Sequence, residues 1–101
     1  MSEYWEKELK DAIWNNRPNH VEHMKFIISK GVDVDWVIPG EMGRTLLFMT
    51  ILHERFDAMK CLLEAGADPN ISDEFGETPL NRAKALGLTE FTNLLETYGA
   101  N

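Results

Sequence analysis

Apolar residues recur at helical spacing in short segments of the chain, and glycines separate these segments. The first segment places four apolar residues on one side of a helix: Trp5, Leu9, Ala12 and Ile13. Its charged residues fall mostly on the other side: Glu3, Glu6, Lys7, Lys10 and Asp11. This pattern is typical of an amphipathic helix that covers a core with one face. We therefore expect this helix to close one end of the fold.

Four further helices are predicted over about residues 46–54, 57–65, 79–86 and 90–97. Thr78 stands at an N-cap position, and Pro79 follows at the first helical position, where its missing N–H is not needed. Gly87 and Gly99 follow the last two segments and favour helix termination there. Each helix pair has too narrow an apolar face to bury alone, so we expect neighbouring pairs to stack.

The segments also repeat one another in sequence. Gly43-Arg44-Thr45-Leu46-Leu47 and Gly76-Glu77-Thr78-Pro79-Leu80 begin 33 residues apart, as do Gly66 and Gly99 at the ends of the second helices. Gly31 precedes Gly66 by 35 residues, so the first connection carries two extra residues. A repeat of this period predicts a solenoid of stacked helix pairs.

The repeated motifs resemble those of the ankyrin-repeat family. Asp73-Glu74-Phe75-Gly76-Glu77-Thr78-Pro79-Leu80-Asn81-Arg82-Ala83 is similar to the family's turn and first helix, with Asn81 where histidine is usual. Leu62-Leu63-Glu64-Ala65-Gly66-Ala67-Asp68-Pro69-Asn70 is similar to the end of its second helix and the start of its hairpin. The middle unit departs more, with Leu46 for the proline and Phe48 for the histidine. The resemblance implies an all-α solenoid of stacked helix-turn-helix ankyrin repeats with short β-hairpin-like connecting loops.

We expect a single domain over residues 1–101, divided into three units. These are an N-terminal cap of about 1–35, a middle repeat of about 36–68 and a C-terminal cap of about 69–101. In the first unit, Arg17-Pro18-Asn19 is expected to lengthen the loop between the two helices.

The last unit carries polar residues where the earlier units carry apolar ones. Thr92 aligns with Met24 and Met59, and Glu96 aligns with Ile28 and Leu63. The end unit of a solenoid has to present a polar outer face. The sequence therefore predicts that the chain is complete rather than cut from a longer array.

Composition narrows the class of protein. The 101 residues include 17 acidic and 10 basic side chains, for a net charge of −7, and one cysteine. An acidic chain of this length is unsuited to nucleic-acid phosphates and too short for most large enzyme folds. It shows neither a signal peptide nor an apolar run that could span a membrane. We expect a soluble cytoplasmic protein, monomeric when unbound.

The residues that carry chemistry in other proteins give no catalytic or metal site. His20 and His23 lie three residues apart without a third predictable ligand, so we expect both to be solvated. His53 ends a helix, where a cation would complement the helix dipole. Cys61 falls in one row with Phe26 and Leu94, which are expected to pack between helices, so we expect Cys61 to be buried core. We therefore predict a non-catalytic protein with no cofactor.

The resemblance implies that the chain binds another protein through its hairpin tips and a concave face formed by the first helices. Twelve residues fall at such positions: Trp14, Trp36, Ile38, Glu41, Met42, Arg44, Phe48, Leu52, His53, Glu74, Phe75 and Glu77. Exposed aromatic residues often dominate the energy of binding. The first hairpin, with Trp36 and Ile38, is unusually apolar for a surface loop.

Two alternatives remain open for this hairpin. Trp36 and Ile38 are either exposed anchors or folded back onto the helices, and Trp14 is either a second anchor or partly covered by the hairpin. If exposed, they form an apolar patch with Met42, Leu52 and Phe48. Four acidic residues would rim that patch: Glu41, Asp73, Glu74 and Glu77.

An apolar patch with an acidic rim fits a partner with a basic rim. A sharper version of this prediction is an inhibitor, for example an immunity protein that neutralises a basic toxin enzyme. Two alternatives belong to other classes. One is a hydrolase or metal-dependent enzyme with an unrecognised site, and the other is a structural protein that self-assembles through the apolar hairpin.

Overall fold

A computed structural model describes residues 3–15 and 20–101 of the chain. Its regular elements are six helices: α1 Tyr4–Asn15, α2 His20–Ile28, α3 Leu46–Leu52, α4 Phe56–Glu64, α5 Pro79–Ala85 and α6 Thr89–Thr97. Helices α3–α6 agree with the predicted segments to within two residues at each end. In the described ranges the only strand-like pairing is an isolated antiparallel bridge between Val37 and Thr45. The prediction of an all-α solenoid is confirmed, while the loop expected at Arg17-Pro18-Asn19 lies outside the described residues.

Threonine caps start the first helices of the second and third pairs. Thr45 Oγ1 accepts a hydrogen bond from the Phe48 N–H at 3.2 Å. Thr78 Oγ1 accepts from the Asn81 N–H at 3.2 Å, and Asn81 Oδ1 accepts from the Thr78 N–H at 3.3 Å. These two bonds form a capping box, with Pro79 at the first turn as predicted. Asn81, which stands where histidine is usual in the family, therefore has a structural role in this capping box.

The second helices end in a left-handed glycine. At the end of α4, Gly66 has a φ of 96°. Its N–H donates to Leu63 O, and the Ala67 N–H donates to Leu62 O, each at 3.0 Å. This is the Schellman arrangement, which satisfies the last helical carbonyls and turns the chain toward the next unit. Gly99 repeats it after α6.

The helices pack as three consecutive pairs, and neighbouring pairs stack through α2 on α4 and α3 on α5. The fully buried side chains of this stack are Leu9, Ile13, Met24, Ile27, Thr45, Leu46, Leu47, Phe48, Ile51, Met59, Leu62 and Leu95. Arg55, just before α4, donates from Nε to Ile13 O and from Nη2 to Trp14 O, both at 3.2 Å. Because α1 has no basic residue in its last turn, this guanidinium supplies the missing C-terminal cap.

Side-chain hydrogen bonds tie each turn to the next unit. Asp35 Oδ1 accepts from the Asp68 N–H at 2.8 Å, and Asn70 Nδ2 donates to Gly99 O at 3.2 Å. Within the first unit, Glu6 Oε2 accepts from the Asp33 N–H at 2.7 Å and joins α1 to the turn that follows α2. Glu6 is therefore buried, and the expectation that it lies on the exposed side of α1 is wrong.

The second helices carry Phe26, Cys61 and Leu94 at equivalent positions, and the surroundings of this position differ between the three units. Cys61 is buried as predicted, and burial raises the pKa of its thiol. Leu94 is partly buried. Phe26, in contrast, is 53% exposed, so the expectation that it packs between helices is wrong. It lies on the outer side of α2, where the described chain provides no preceding helix pair.

Candidate functional site

The first hairpin, residues 36–44, turns its large apolar side chains inward. The Leu46 N–H donates to Trp36 O at 3.3 Å, and the Ile38 N–H donates to Arg44 O at 2.9 Å. In extended backbone, alternate residues face opposite sides. Trp36 and Ile38 are accordingly buried, with Trp36 only 9% exposed, whereas Val37 between them is exposed. Of the two alternatives, the folded-back one is observed, and Trp36 and Ile38 are not exposed anchors.

Phe48 is also part of the core rather than of an exposed patch. It is fully buried in α3, and the Arg44 guanidinium lies 5.3 Å from its ring centroid. Arg44 in turn lies beside Asp73, with 3.6 Å between Nε and Oδ2. Phe48 therefore supports the hairpins from below, and its expected place in the exposed patch is wrong.

Asp73 closes the second hairpin, residues 71–77, from inside. Its Oδ1 accepts hydrogen bonds from the Phe75 and Glu77 N–H groups at 2.9 and 3.0 Å. Burial acts to raise the pKa of this carboxyl, but the two backbone donors and the nearby Arg44 outweigh it and hold the pKa below its usual value. Because Asp73 is buried, its expected place in an exposed acidic rim is wrong.

The tips of the two hairpins are packed against each other. The Glu74 N–H donates to Met42 O at 2.9 Å. A Cβ atom on Gly43 would lie 2.8 Å from Glu74 Cγ and 2.9 Å from Glu74 N, which is closer than carbon and nitrogen atoms approach. Met42 has a φ of 59°, a left-handed conformation that is unfavourable for a residue with a side chain. Contact between the tips thus fixes the direction in which Met42 projects.

Four residues form what we call the tip surface: Glu41, Met42, Glu74 and Phe75. Met42 is 50% exposed and Phe75 is 74% exposed. Within the described ranges, neither Glu41 nor Glu74 forms an ion pair with a lysine or arginine. Glu77 differs, because its Oε1 accepts from Arg82 Nη2 at 2.7 Å. The tip surface therefore combines two exposed apolar side chains with two carboxylates that form no ion pair among the described residues.

Three of the predicted residues lie with Leu86 at the C-terminal ends of the first helices, and we call this group the inner face: Trp14, Leu52, His53 and Leu86. The Trp14 and His53 rings meet edge to face with centroids 5.2 Å apart. Lys10 Nζ lies 5.2 Å from the Trp14 ring centroid. Trp14 remains partly exposed, as do Leu52 and His53, and Leu86 is 50% exposed. This face gives an apolar surface on rigid helices.

His53 belongs to the inner face through the contact of its ring with Trp14. Partial burial and the nearby Arg55 lower the pKa of its imidazole, whereas Glu41 acts in the opposite direction.

Comparison with known proteins identifies the fold. A family model described as Ankyrin repeats (3 copies) matches residues 9–101. The chain belongs to the ankyrin-repeat family. An ankyrin repeat domain from Acinetobacter baumannii AYE superposes on it with a TM-score of 0.75 and 33% identity, covering 90% of this chain and 46% of that chain.

Two curated ankyrin-repeat proteins are also similar in sequence. Ankyrin repeat and SOCS box protein 11 of Mus musculus is 35% identical over 97% of this chain and 28% of its own length. Ankyrin repeat and SOCS box protein 5 of Oryctolagus cuniculus is 38% identical over 81% of this chain and 24% of its own length. The chain thus spans about a quarter of the length of these relatives. Ankyrin repeats are generally protein–protein interaction modules, and their fold is typically non-catalytic.

Some residues of this ankyrin surface were absent from the sequence prediction. Val37 is an exposed apolar residue, and Lys10 and Arg55 hold Trp14 in place through its ring and its carbonyl. An extended segment with Trp36 and Ile38 facing the core places Val37 on the solvent side, so this exposure could have been predicted from the sequence. The contact of Arg55 with α1 spans 41 residues of sequence and leaves no local signal.

The remaining surface has shallow depressions on the opposite side of the ankyrin stack. Two of them, about 310 and 370 Å³ in volume, lie between α2 and α4 and share Lys25, Cys61 and Glu64. The raised pKa of the Cys61 thiol makes it a poor nucleophile. Among the described residues, no three histidine, cysteine or acidic side chains are grouped to hold a metal ion. Nor does this part of the chain contain a helix long and apolar enough to cross a membrane.

Proposed function

We propose that this chain binds a partner protein through one surface made of the tip surface and the inner face, without catalysing a reaction. The observation that supports this most is the tip surface itself. Met42 and Phe75 project from two hairpins that are joined by the Glu74–Met42 backbone hydrogen bond. Side chains held in place before binding lose less conformational freedom when the complex forms.

The proposed partner carries a basic surface around an apolar site. Glu41 and Glu74 stand beside exposed Met42 and Phe75 and form no ion pair with a lysine or arginine among the described residues. Complementary charges at the rim of an interface accelerate association and select the partner, while the apolar centre gives most of the affinity. One copy of the chain carries all of these residues, so a monomer is the proposed binding unit.

The experiment is capture of a partner on the immobilised chain, identification of that partner, and measurement of Kd with the purified pair. We expect Met42→Ala together with Phe75→Ala to weaken binding by about tenfold or more, since anchors at the centre of an interface contribute this much or more. Glu41→Gln with Glu74→Gln should slow association and reduce its dependence on salt.

Tyr98→Ala is the matched control, because Tyr98 is another exposed aromatic residue and lies beyond α6, outside the proposed surface. It should leave Kd unchanged. Equal affinity for the Met42/Phe75 variant and the wild-type chain would overturn the assignment of the surface. If the Tyr98 variant loses as much affinity as the Met42/Phe75 variant, the loss is not specific to the tip surface.

A more specific form of this function is inhibition of a basic enzyme, such as a toxin that the chain neutralises as an immunity protein. It rests on the fit between the acidic tip surface and a basic cleft, and loss of the captured enzyme's activity on binding would test it. Self-assembly through the first hairpin has less support, because Trp36 and Ile38 are buried. We place the binding function in the cytoplasm, where the single cysteine, Cys61, would stay reduced.

A further inference from the structure

The side chain of Arg44 crosses from the first hairpin to the second. Its backbone belongs to the first hairpin, where its N–H donates to Glu41 O at 3.1 Å and its carbonyl accepts from the Ile38 N–H at 2.9 Å. Its guanidinium lies beside the second hairpin, with Nε 3.6 Å from Asp73 Oδ2. Arg44 is therefore fixed in one hairpin by its backbone and paired with the other by its charge.

The two charges of this pair depend on each other because both are largely removed from solvent. The side chain of Arg44 is 17% exposed and that of Asp73 is 0% exposed. Among the described residues, neither Arg44 Nε nor Asp73 Oδ2 has a hydrogen-bond partner. A buried charge that loses its counter-charge is unfavourable. Separation of the hairpins would leave both groups in that state, so the pair favours hairpins that stay together.

The ring of Phe48 restricts the guanidinium further. Arg44 Cζ lies 5.3 Å from the centroid of this ring, which is fully buried in α3. A planar guanidinium that contacts an aromatic ring and a carboxylate at once has little freedom to change its orientation. The contact between the hairpins is therefore built on a rigid element of the core.

We propose that Arg44 is a positioning residue of the tip surface, which holds the two hairpin tips in one relative position so that Met42 and Phe75 reach the partner together. The proposal rests on the proposed function, because it explains how the surface assigned there keeps its shape. The same contact protects the hydrogen bond from the Glu74 N–H to Met42 O, which joins the tips. A surface that is ordered before binding loses less conformational freedom in the complex.

The sign of its charge separates this role from direct contact with the partner. A cation in the interface repels a partner with a basic surface, so removing that cation alone would strengthen binding. Loss of a positioning residue has the opposite effect, because the tips separate and binding weakens. Arg44→Met distinguishes the two roles, since methionine keeps an apolar side chain over Phe48 and removes the charge.

Amide hydrogen exchange tests the contact between the tips in the free chain, without a partner. In Arg44→Met, the Glu74 N–H is expected to exchange about tenfold faster, because the hairpins separate more often. Arg44→Lys keeps a charge beside Asp73 and should accelerate this exchange less. Arg82→Met is the matched control, because Arg82 Nη2 lies 2.7 Å from Glu77 Oε1 and its ion pair does not reach the first hairpin. It removes the same charge and should leave the exchange of Glu74 unchanged.

Binding of the purified partner from the capture experiment provides the second measurement. Arg44→Met should raise Kd about tenfold, although it removes a positive charge that would face a basic partner. Arg82→Met should leave Kd unchanged or lower it, since it frees the carboxylate of Glu77. Equal or tighter binding of the Arg44→Met variant overturns the positioning role. An unchanged exchange rate of Glu74 in that variant, or an equal acceleration in Arg82→Met, also overturns it.

The Met42/Phe75 double-alanine variant separates this proposal from the proposed function. If it loses affinity while Arg44→Met does not, the tip surface binds the partner and only the role of Arg44 is wrong. If neither variant loses affinity, the tip surface is not the binding site and the proposed function is wrong. Weaker binding of both variants, together with faster exchange of Glu74 in Arg44→Met, supports both proposals.

Discussion

The two hairpins of this chain occupy equivalent positions in the repeat but treat their aromatic residues in opposite ways. The first hairpin buries Trp36 through the backbone bond to Leu46 and the bridge at Val37. The second hairpin is closed by the carboxylate of Asp73, which leaves Phe75 outside. The two residues also stand at different places in the hairpins, because Gly43 aligns with Gly76 and Phe75 therefore corresponds to Met42, which is exposed as well. Trp36 lies in extended backbone, where alternate residues face inward, whereas Phe75 lies in the turn closed by Asp73. An aromatic residue in a surface loop is therefore an anchor only where the backbone leaves it unpaired.

Replacing the two aromatic residues should separate stability from binding. Trp36→Ala removes a buried indole and should lower the free energy of unfolding by about 3–5 kcal/mol. Phe75→Ala removes a ring that is mostly in solvent and should change it by less than about 0.5 kcal/mol. Urea denaturation followed by circular dichroism measures both variants.

This result bears on how binding data for the first hairpin are interpreted. Loss of partner binding in the Trp36 variant would reflect loss of folded protein. The Kd of this variant therefore has to be measured without urea and calculated from the concentration of folded chain. Equal unfolding free energies for the two alanine variants would show that the contrast between the hairpins is wrong.

Local signals account for what the sequence predicted correctly. The pair Thr78–Pro79 and the glycines after the helices act within a few residues, and the helix boundaries α3–α6 follow from them. These features could be found without knowledge of the stack.

Contacts between distant residues account for what the sequence missed. The burial of Asp73 depends on Arg44 in the other hairpin, and the exposure of Phe26 depends on what precedes its helix in the stack. The interpretation of Trp36 left two alternatives because apolar composition alone does not determine which side of a loop faces the core.

Contact between the hairpin tips can be tested at Gly43. Gly43→Ala would place a Cβ against Glu74 and also keep an unfavourable left-handed φ of 78°, so we expect a loss of about 2–3 kcal/mol in unfolding free energy. Gly40→Ala is the matched control, since it has the same φ of 78° and no atom within 4 Å of the added Cβ. It should cost about 1 kcal/mol. Equal losses would show that the two tips are independent.

The closure of the second hairpin by Asp73 should be visible in the pH dependence of stability. The folded-state pKa of Asp73 lies below its unfolded value, so its stabilising effect is present above about pH 4 and disappears as the pH falls through the folded pKa. Asp73→Asn should lower the unfolding free energy by about 1.5 kcal/mol at pH 7. The gap between wild type and variant should then narrow on acidification to about pH 2. A constant gap in urea titrations across this range would contradict the role assigned to the carboxylate.

Met42 provides the smallest and most selective test, because its backbone and its side chain make separate contributions. Met42→Gly relieves the left-handed φ of 59°, whereas Met42→Ala keeps that conformation, and both remove the exposed thioether. We expect the glycine variant to be more stable than the alanine variant by about 1 kcal/mol in urea denaturation. If the Met42 side chain contacts the partner, both variants should bind the partner more weakly, although their stabilities differ. Binding that follows stability instead would make Met42, like Trp36, a residue of the scaffold, and would leave Phe75 of the second hairpin as the apolar anchor of the tip surface.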